Sequence, residues 1–336
     1  MGTLGVGIIG YGFMGRTHAA AYAAAAAAGL PCVVRAVCDP SAARLGDGGV
    51  GGNLESGQER AALDGVTRHA DPSALLADSS IAMVSVCTPT DSHVPVAIAA
   101  LEAGKHVIVE KPVGLRSVEV LRLAEAARRA GRVCMPAMCM RFWPGWDWLR
   151  ERIRDREFGA VRSVALTRMG AGPTWSPEFY MDAARSGGPM FDLHVHDMDF
   201  LYWCFGMPTE VHCHGSPRHF TTALKFAGGP EHVVAEGAWD LTPTAGFRMR
   251  YFVTFEHATA EWDLSRTPRL MLHRAGGSEV VEVGVGAGYE PEVAHFVRCV
   301  ARAETPAATM EEAVDVTRVL EAAVASLRSG VRIGLE

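Results

Sequence analysis

Two side chains able to exchange a proton lie four residues apart beyond the middle of the chain. If the segment around them is helical, Asp192 and His196 share one face, because residues at this spacing are neighbours on a helix surface. An imidazole titrates near neutral pH, so His196 can remove the proton of an alcohol while Asp192 orients the ring or binds a second hydroxyl. The same pair is also typical of a helix N-cap followed by a core histidine. Acid–base chemistry is therefore a hypothesis that depends on the surrounding residues.

A lysine follows an apolar segment that predicts a strand. Glu110-Lys111-Pro112 comes directly after His106–Val109, and Thr88–His93 follows the preceding strand-like segment in the same way. Ligands of open α/β sheets bind at the carboxyl ends of strands, so both turns are predicted to face the nicotinamide half of a dinucleotide. Lys111 can donate to a substrate oxygen there, although a solvated lysine paired with Glu110 is the alternative. The predicted cofactor contacts on these turns are Thr88, Pro89, His93, Glu110 and Lys111.

A glycine-rich loop stands between the first apolar segment and an alanine-rich helix. Glycines at positions 10, 12 and 15 form the pattern G-x-G-x-x-G. Gly10 permits a tight turn, Gly12 lets a pyrophosphate approach the backbone, and Gly15 lets the helix pack closely on the strand. Such a loop alone is a weak signal, but its position between strand and helix favours a dinucleotide site. The predicted contacts in the loop are Gly10, Gly12, Phe13, Met14 and Gly15.

A carboxylate at the end of the second predicted strand bears on the choice of cofactor. Asp39 can accept hydrogen bonds from the adenosine ribose hydroxyls and repel a 2′-phosphate, which favours NAD over NADP. Asp39 is also a good N-cap before Pro40, and Arg44 one turn later can receive a phosphate. NAD is therefore the predicted cofactor, with NADP left open.

The elements that must hold these residues change character near residue 136, within an α/β fold overall. Residues 1–136 alternate short β-branched segments with helical ones, which predicts a Rossmann domain with a parallel sheet. Residues 137–336 predict an α+β domain with a mostly antiparallel open sheet, because a series of strands has short connections. A capping box at Thr309–Glu312 predicts the start of the last helix, which ends near Gly330. The glycine-rich residues 46–57 predict a surface loop.

The composition excludes several classes of function. Among 336 residues, 32 basic and 38 acidic side chains give a net charge of -6, and no basic block is dense enough to follow a nucleic-acid backbone. No segment has the features of a membrane span or a targeting sequence, so a soluble, cytoplasmic protein is the expectation. Eight cysteines without a C-x-x-C pair predict buried free thiols in a reducing compartment.

Two other classes of function stay open. Several histidines and aspartates are residue types that bind zinc, so a metal-dependent hydrolase or lyase is an alternative, although the expectation is that no metal is bound. The candidate ligands are Asp192, His194, His196, Asp197, His212 and His214. The other alternative is a sensor that binds a dinucleotide without turnover.

Taken together, these elements resemble the glucose-fructose oxidoreductase and inositol dehydrogenase (Gfo/Idh/MocA) family. The matching motifs are the glycine loop with His18, Thr88-Pro89 with His93, Ala103–Val107, Glu110-Lys111-Pro112, and the segment from Gly187 through Asp192 to His196. The combination of Glu110-Lys111-Pro112 with the later Asp-x-x-x-His is fairly specific, whereas the glycine loop is not. The resemblance covers nearly the whole chain.

The resemblance implies an NAD(P)-dependent oxidoreductase that moves a hydride between the nicotinamide and a secondary alcohol carbon of a sugar, cyclitol or related polyol. It implies that Lys111, Asp192 and His196 surround the reacting carbon, with His196 as the acid–base residue. Arg141 and Trp175 are further predicted substrate contacts, since aromatic faces with polar neighbours suit sugar rings. The resemblance also implies a homodimer or homotetramer that forms through the open C-terminal sheet.

Overall fold

The computed structural model describes residues 2–46 and 63–335, so the predicted surface loop at residues 46–57 lies outside the described residues apart from Gly46. The chain divides into two compact units. The first unit comprises Met1–Phe142 and Ala287–Val314, and the second comprises Trp143–Gly286 and Asp315–Glu336.

A parallel sheet forms the centre of the first unit. Its strands are β1 (Leu4–Ile9), β2 (Cys32–Cys38), β3 (Thr67–His69), β4 (Ile81–Val86), β5 (His106–Val109) and β6 (Cys134–Pro136). The helices between them are α1 (Phe13–Ala27), α2 (Pro72–Ala77), α3 (Thr90–Glu102) and α4 (Ser117–Ala130). In the described residues the six strands are ordered β3-β2-β1-β4-β5-β6 and all pair in parallel. The strand order reverses beside β1, which is where such sheets open a crevice for ligands at the strand carboxyl ends.

Both faces of this parallel sheet are covered. Val6 and Ile8 of β1 belong to one buried cluster with Tyr22 of α1. Val107 of β5 belongs to a second cluster with Leu123 of α4. Successive residues of a strand point to opposite faces, so a strand buried on both sides needs continuous apolar sequence, as β1 and β5 have.

The second unit contains a larger, mixed sheet. Its strands are β7 (Val161–Met169), β8 (Glu210–Ser216), β9 (His219–Lys225), β10 (His232–Ala238), β11 (Arg248–Phe255), β12 (Thr259–Asp263), β13 (Leu270–Arg274), β14 (Gly277–Val280) and β15 (Ile333–Gly334). Over the part of the chain that is described, their order is β14-β13-β12-β11-β7-β10-β9-β8-β15. The pair β7 and β10 is parallel and the other neighbours are antiparallel. The predicted fold class is therefore confirmed.

Helices of the second unit lie mostly between β7 and β8 and at the end of the chain. They are α5 (Trp146–Asp155), α6 (Pro177–Tyr180), α7 (Ala183–Ser186), α8 (Gly188–Asp192) and α9 (His194–Phe205). Two further helices follow β14: α10 (Tyr289–Arg302), which lies in the first unit, and α11 (Met310–Ser329). No helix in residues 2–46 and 63–335 is both long and apolar enough to cross a membrane.

The compact units differ from the predicted division at residue 136. The first unit extends to Phe142 and also takes residues 287–314. The physical reason is α10, whose residues Val293, Phe296 and Val297 are fully buried in the same cluster as Val6 and Ile8 of β1. A sequence pattern shows that α10 has an apolar face but not which core that face enters.

The predicted capping box at the start of α11 is confirmed. Glu312 N–H donates to Thr309 Oγ1 at 3.2 Å, and Thr309 N–H donates to Glu312 Oε2 at 2.9 Å. The two side chains satisfy N–H groups that a helix start leaves without partners. The helix ends at Ser329, and Gly330 has a left-handed φ of 72°.

Candidate active site

The glycine loop has the geometry that its pattern predicts. Gly10 has a φ of +87°, and a Cβ there would lie 2.5 Å from the carbonyl oxygen of Cys87. A Cβ on Gly15 would lie 2.0 Å from the oxygen of Gly10, so α1 packs on the loop at a distance that only glycine allows. A Cβ on Gly12 would meet no atom within 4 Å. Since Gly12 also stands at the start of α1 without a side-chain cap, this is open space beside free helix N–H groups.

Asp39 ties the glycine loop to the end of β2. Its Oδ2 accepts the Tyr11 N–H at 2.9 Å and its Oδ1 accepts the Ser41 N–H at 2.9 Å. The residue is 2% exposed, and Arg44 Nη1 lies 3.8 Å from Oδ2. No helix is present in residues 40–46, where residues 42–46 form turns, so the Asp39 side chain makes a cap-type bond to the Ser41 N–H at a turn rather than at a helix start. The carboxylate holds the loop that a dinucleotide would contact, and its contact with the ribose stays a prediction.

His93 joins the turn after β4 to the turn after β5. Its Nε2 lies 2.7 Å from the carbonyl oxygen of Thr88, and its Nδ1 lies 2.8 Å from that of Pro112. Carbonyl oxygens only accept, so a ring with a single N–H satisfies one of them at a time. Burial lowers the pKa of His93. Because both ring nitrogens face the backbone, the described contacts of His93 differ from the predicted contact with a cofactor.

Lys111 sits directly after the buried carboxylate of Glu110. Lys111 is half-buried, and its backbone N–H donates to Glu110 Oε2 at 3.1 Å. Burial acts to raise the pKa of Glu110, but the hydrogen bond from His18 and the nearby charges, including Lys111, outweigh it and hold the pKa below its usual value. Glu110 is therefore an ionised group inside the first unit, where Thr88 and Pro89 lie at the adjacent strand end.

Asp192 and His196 are the two partly exposed residues in a buried stretch. Every residue from 188 to 201, all of which the structure describes, is buried except these two. The stretch is not one helix as predicted, because α8 ends at Asp192 and α9 begins at His194. Leu193 between them keeps right-handed helical dihedrals and donates its N–H to Pro189 O at 3.1 Å. The backbone therefore stays close to helical between the two residues, and a shared face for Asp192 and His196 stays a prediction.

A buried ion pair anchors the helix that carries His196. Asp197 accepts hydrogen bonds from Arg168 of β7, with Nη2 2.9 Å and Nε 3.1 Å from Oδ1. Burial acts to raise the pKa of Asp197, but the charges and hydrogen bonds of Arg168 and His194 together outweigh it and keep the pKa low. The neighbouring His194 places its Nε2 3.0 Å from Thr222 Oγ1 of β9. These contacts fix the first turn of α9 against the sheet.

Arg141 is buried inside the first unit, so its described contacts differ from the predicted contact with a substrate. Its side chain is 1% exposed, and Nη1 lies 2.9 Å from Glu312 Oε2 and 2.6 Å from the Ala307 carbonyl oxygen. A guanidinium enclosed by a carboxylate and a carbonyl serves to hold the start of α11, since buried charges need such partners. Sequence alone gave no sign of this pairing because the partner lies 171 residues away.

Trp175 belongs to a group of aromatic rings that precedes α8. Its ring is half-buried and meets Tyr180 edge to face at 5.6 Å, and Tyr180 in turn meets Trp239 at 5.9 Å. Ser186 links this segment to α8, since its Oγ accepts the Gly188 N–H at 3.0 Å and lies 3.0 Å from the Tyr180 carbonyl oxygen. Contact of Trp175 with a sugar stays a prediction.

The metal-site alternative gains no support from the described residues. Across residues 2–46 and 63–335, no group of three or more His, Cys, Asp or Glu side chains is arranged to hold a metal ion. His194 faces Thr222 and Asp197, and the rings of His212 and His214 lie 6.1 Å apart along β8.

Comparison with known proteins identifies the family. Residues 4–138 match an oxidoreductase family with an NAD-binding Rossmann fold, and residues 146–265 match the GFO/IDH/MocA C-terminal domain. The chain belongs to the Gfo/Idh/MocA family. The first unit is accordingly an NAD-binding Rossmann domain of that family, and the resemblance based on motifs is confirmed.

Relatives within the Gfo/Idh/MocA family differ in how much of this chain they share. An uncharacterized oxidoreductase of Synechocystis is 31% identical over 135 residues, which is 39% of this chain and only 36% of that protein. The scyllo-inositol 2-dehydrogenase (NAD(+)) of Bacillus subtilis is 28% identical over 79% of this chain and 81% of its own length. A levoglucosan dehydrogenase solved with NADH and levoglucosan has a TM-score of 0.85 at 20% identity, covering 99% of both chains, which shows the shared fold.

The sequence analysis did not identify Ser85 and Tyr22, two buried polar residues that connect to Glu110 through His18. Ser85 Oγ lies 3.0 Å from His18 Nδ1 and 3.0 Å from the hydroxyl of Tyr22. Two signals were available in the sequence. Ser85 is the polar residue in an otherwise apolar strand, and Tyr22 is four residues after His18, hence on the same face of α1.

Proposed function

We propose that this protein is an NAD(P)-dependent dehydrogenase that oxidises a secondary alcohol carbon of a sugar, cyclitol or related polyol, or reduces the corresponding ketone. NAD is preferred, because the Asp39 carboxylate at the end of β2 favours ribose hydroxyls over a 2′-phosphate. Membership of the Gfo/Idh/MocA family and the names of its dehydrogenase relatives support this class of reaction.

The residues of the first unit fit a dinucleotide. The open space at Gly12, the uncapped start of α1 and the left-handed Gly10 form a cradle that the pyrophosphate fits. In the proposal, Gly10–Gly15 hold the pyrophosphate, Asp39 holds the adenosine ribose, and Thr88 and Pro89 border the nicotinamide. Bound NAD supplies the hydride acceptor.

The reactive side chains divide the remaining tasks between them. Lys111 donates a hydrogen bond to the substrate oxygen and so holds the alcohol in place. His196 removes the hydroxyl proton, since an imidazole can accept a proton near neutral pH. Asp192 orients the substrate and His196, and Trp175 offers an apolar face to the ring.

One observation carries the proposal. In a stretch of buried residues from 188 to 201, the two that reach the surface are a carboxylate and an imidazole four residues apart. A core histidine would be fully buried, unlike His196, and Asp192 ends α8 rather than capping α9, whose N-cap position is Leu193. Their partial exposure suits a role in binding or proton transfer.

The first experiment is a fluorescence titration of the purified protein with NADH and NADPH. It is followed by absorbance assays with scyllo-inositol, levoglucosan and related cyclitols and pyranoses. We expect tighter binding of NADH and turnover of at least one cyclic polyol. Absence of binding to either cofactor would overturn the proposal, whereas binding without any turnover would favour the sensor.

The sheet of the second unit also fits the implied self-association. Along β11 the residues alternate between exposed and buried, and Phe252 on the outward side is 47% exposed. Its neighbour in register, Ala165 of β7, is half-buried. In the proposed homodimer or homotetramer, this outward face is covered by a second copy of the chain.

A further inference from the structure

Glu110 connects helix α1 to the backbone of Lys111. Its Oε2 accepts the Lys111 N–H at 3.1 Å, and its Oε1 lies 3.0 Å from His18 Nε2. The residue is 4% exposed, and His18 is fully buried. An ionised carboxylate in such surroundings is stable only when it accepts hydrogen bonds. The geometry of the Glu110–Lys111 turn therefore depends on His18.

Two further groups extend this connection away from Lys111. His18 Nδ1 lies 3.0 Å from Ser85 Oγ, and Ser85 Oγ lies 3.0 Å from the Tyr22 hydroxyl. Burial raises the pKa of Tyr22 well above its ordinary value, so its hydroxyl keeps its proton and donates to Ser85. Ser85 then donates to His18 Nδ1, and the ring proton lies on Nε2, where it donates to Glu110. Every member has a partner in this one direction.

We propose that Glu110 is a positioning residue for Lys111, and that His18, supported by Ser85 and Tyr22, holds the Glu110 carboxylate in place. The carboxylate fixes the backbone at Lys111 and keeps a negative charge beside its ammonium group. The role rests on the proposed function, in which Lys111 binds the substrate oxygen. The hydrogen-bonded chain can be tested without any substrate.

The sequence offers a direct probe, because it contains three lysines, Lys105, Lys111 and Lys225. Reductive methylation with ¹³C-formaldehyde labels lysine amines while keeping their charge, and each gives its own NMR signal. Lys105 is buried with Nζ donating to the carbonyl oxygens of Asp78 and Ile81, which distinguishes its surroundings from those of Lys111. Lys111→Arg and Lys225→Arg assign the remaining signals.

The first variant removes the charge and keeps the shape. In Glu110→Gln, the pH midpoint of the Lys111 signal should fall, because an opposite charge nearby favours the ammonium form. An unchanged midpoint in this variant would overturn the proposal.

A matched pair at position 18 tests the hydrogen bond itself. The amide of Gln reaches the place of Nε2 and keeps a donor for Glu110, whereas the shorter Asn reaches only the place of Nδ1. His18→Asn should therefore move the Lys111 signal in the direction of Glu110→Gln, and His18→Gln should restore most of it. Equal effects of the two variants would contradict a role through Glu110. The control is His106→Asn, at the amino end of β5, whose ring accepts the Val133 N–H and which should leave the signal unchanged.

A milder change covers the case in which His18→Asn does not fold. Ser85→Ala removes the hydrogen bond to His18 Nδ1, which lies on the side of the ring away from Glu110. This variant should shift the Lys111 signal in the same direction as His18→Asn, but by less. No shift in a folded Ser85→Ala variant would remove Ser85 and Tyr22 from the proposal.

With an active substrate, Glu110→Gln should lower kcat at least tenfold and change KM for NAD little. If the signal responds as expected but no polyol is oxidised, the positioning role stands and the proposed function fails.

Discussion

At the level of single residues, the glycines of the first loop meet different constraints. Gly15 faces the Gly10 oxygen at a distance that no side chain tolerates, whereas Gly12 faces open space. Gly15 is thus required by the folded chain itself, whereas Gly12 is required only by the proposed dinucleotide contact. Replacing each glycine by alanine, which adds one methyl group, tests the two requirements separately.

We expect Gly15→Ala to destabilise the protein by about 1–3 kcal/mol, the usual cost of forcing an atom into a packed site. Gly12→Ala should leave the melting temperature unchanged and weaken NADH binding at least about tenfold, or 1.4 kcal/mol. Thermal melts and NADH titrations of both variants check this. An unchanged melting temperature for Gly15→Ala, or normal NADH binding by Gly12→Ala, would contradict it.

His196 carries the second expectation at this scale. His196→Ala should lower the rate of hydride transfer by about 10²–10⁴, the usual contribution of an acid–base residue, with the Kd for NADH unchanged. Single-turnover absorbance and fluorescence titration measure the two quantities. The control is His214→Ala on β8, an exposed histidine of the same unit. If His196→Ala weakened cofactor binding as much as it lowered the rate, the assignment of His196 as the acid–base residue would be wrong.

At the level of elements, the position of His196 depends on the start of α9. Arg168 and Asp197 form an ion pair that is closed off from solvent, and the Arg168 guanidinium lies 5.3 Å from the centre of the Trp146 ring. Removing one partner of such a pair leaves the other charge buried without compensation. Replacing either Arg168 or Asp197 alone should therefore destabilise the packing of α9 against β7.

Arg168→Ala should lower the free energy of unfolding by about 3–5 kcal/mol. Urea unfolding followed by circular dichroism measures the change. The matched control is Arg154→Ala, which removes an exposed pair with Asp155 and should have no measurable effect. If both variants unfold at the same urea concentration, the Arg168 contact does not hold α9.

At the level of the whole molecule, two carboxyl groups make stability depend on pH. The pKa values of Glu110 and Asp197 are lower in the folded chain than their usual values. Their contribution to the free energy of unfolding is complete above the ordinary carboxyl range near pH 4 and is lost as the pH falls through the folded-state values. Urea unfolding between pH 7 and pH 3 should show this loss. Asp197→Asn should have a shallower pH dependence than the parent, and an identical slope would contradict the assignment.

Self-association belongs to the same scale. We expect Phe252→Glu to shift the molar mass measured by light scattering from an oligomer to a monomer, because a charge would be buried in the proposed contact. Val285→Glu is the control, since Val285 is 94% exposed and lies outside the sheet. A parent protein that is already monomeric would contradict the proposed interface.

The sequence by itself determined the features that depend on neighbouring residues. β5 has the predicted bounds, His106–Val109, and the Thr309–Glu312 capping box forms as expected, because periodicity and capping act within a few residues. Strands β3 and β15, of three and two residues, were missed because so short a segment has no readable period.

Only the tertiary structure decided which distant groups meet. It placed α10 in the first unit, enclosed Arg141 against Glu312, and set His93 between two carbonyl oxygens. It also brought Ser85 and Tyr22 beneath His18 and Glu110. The reason is physical. A polar side chain in a core must find a partner wherever the packing provides one, and residue types and spacings do not encode a partner that lies 67 or 92 positions away.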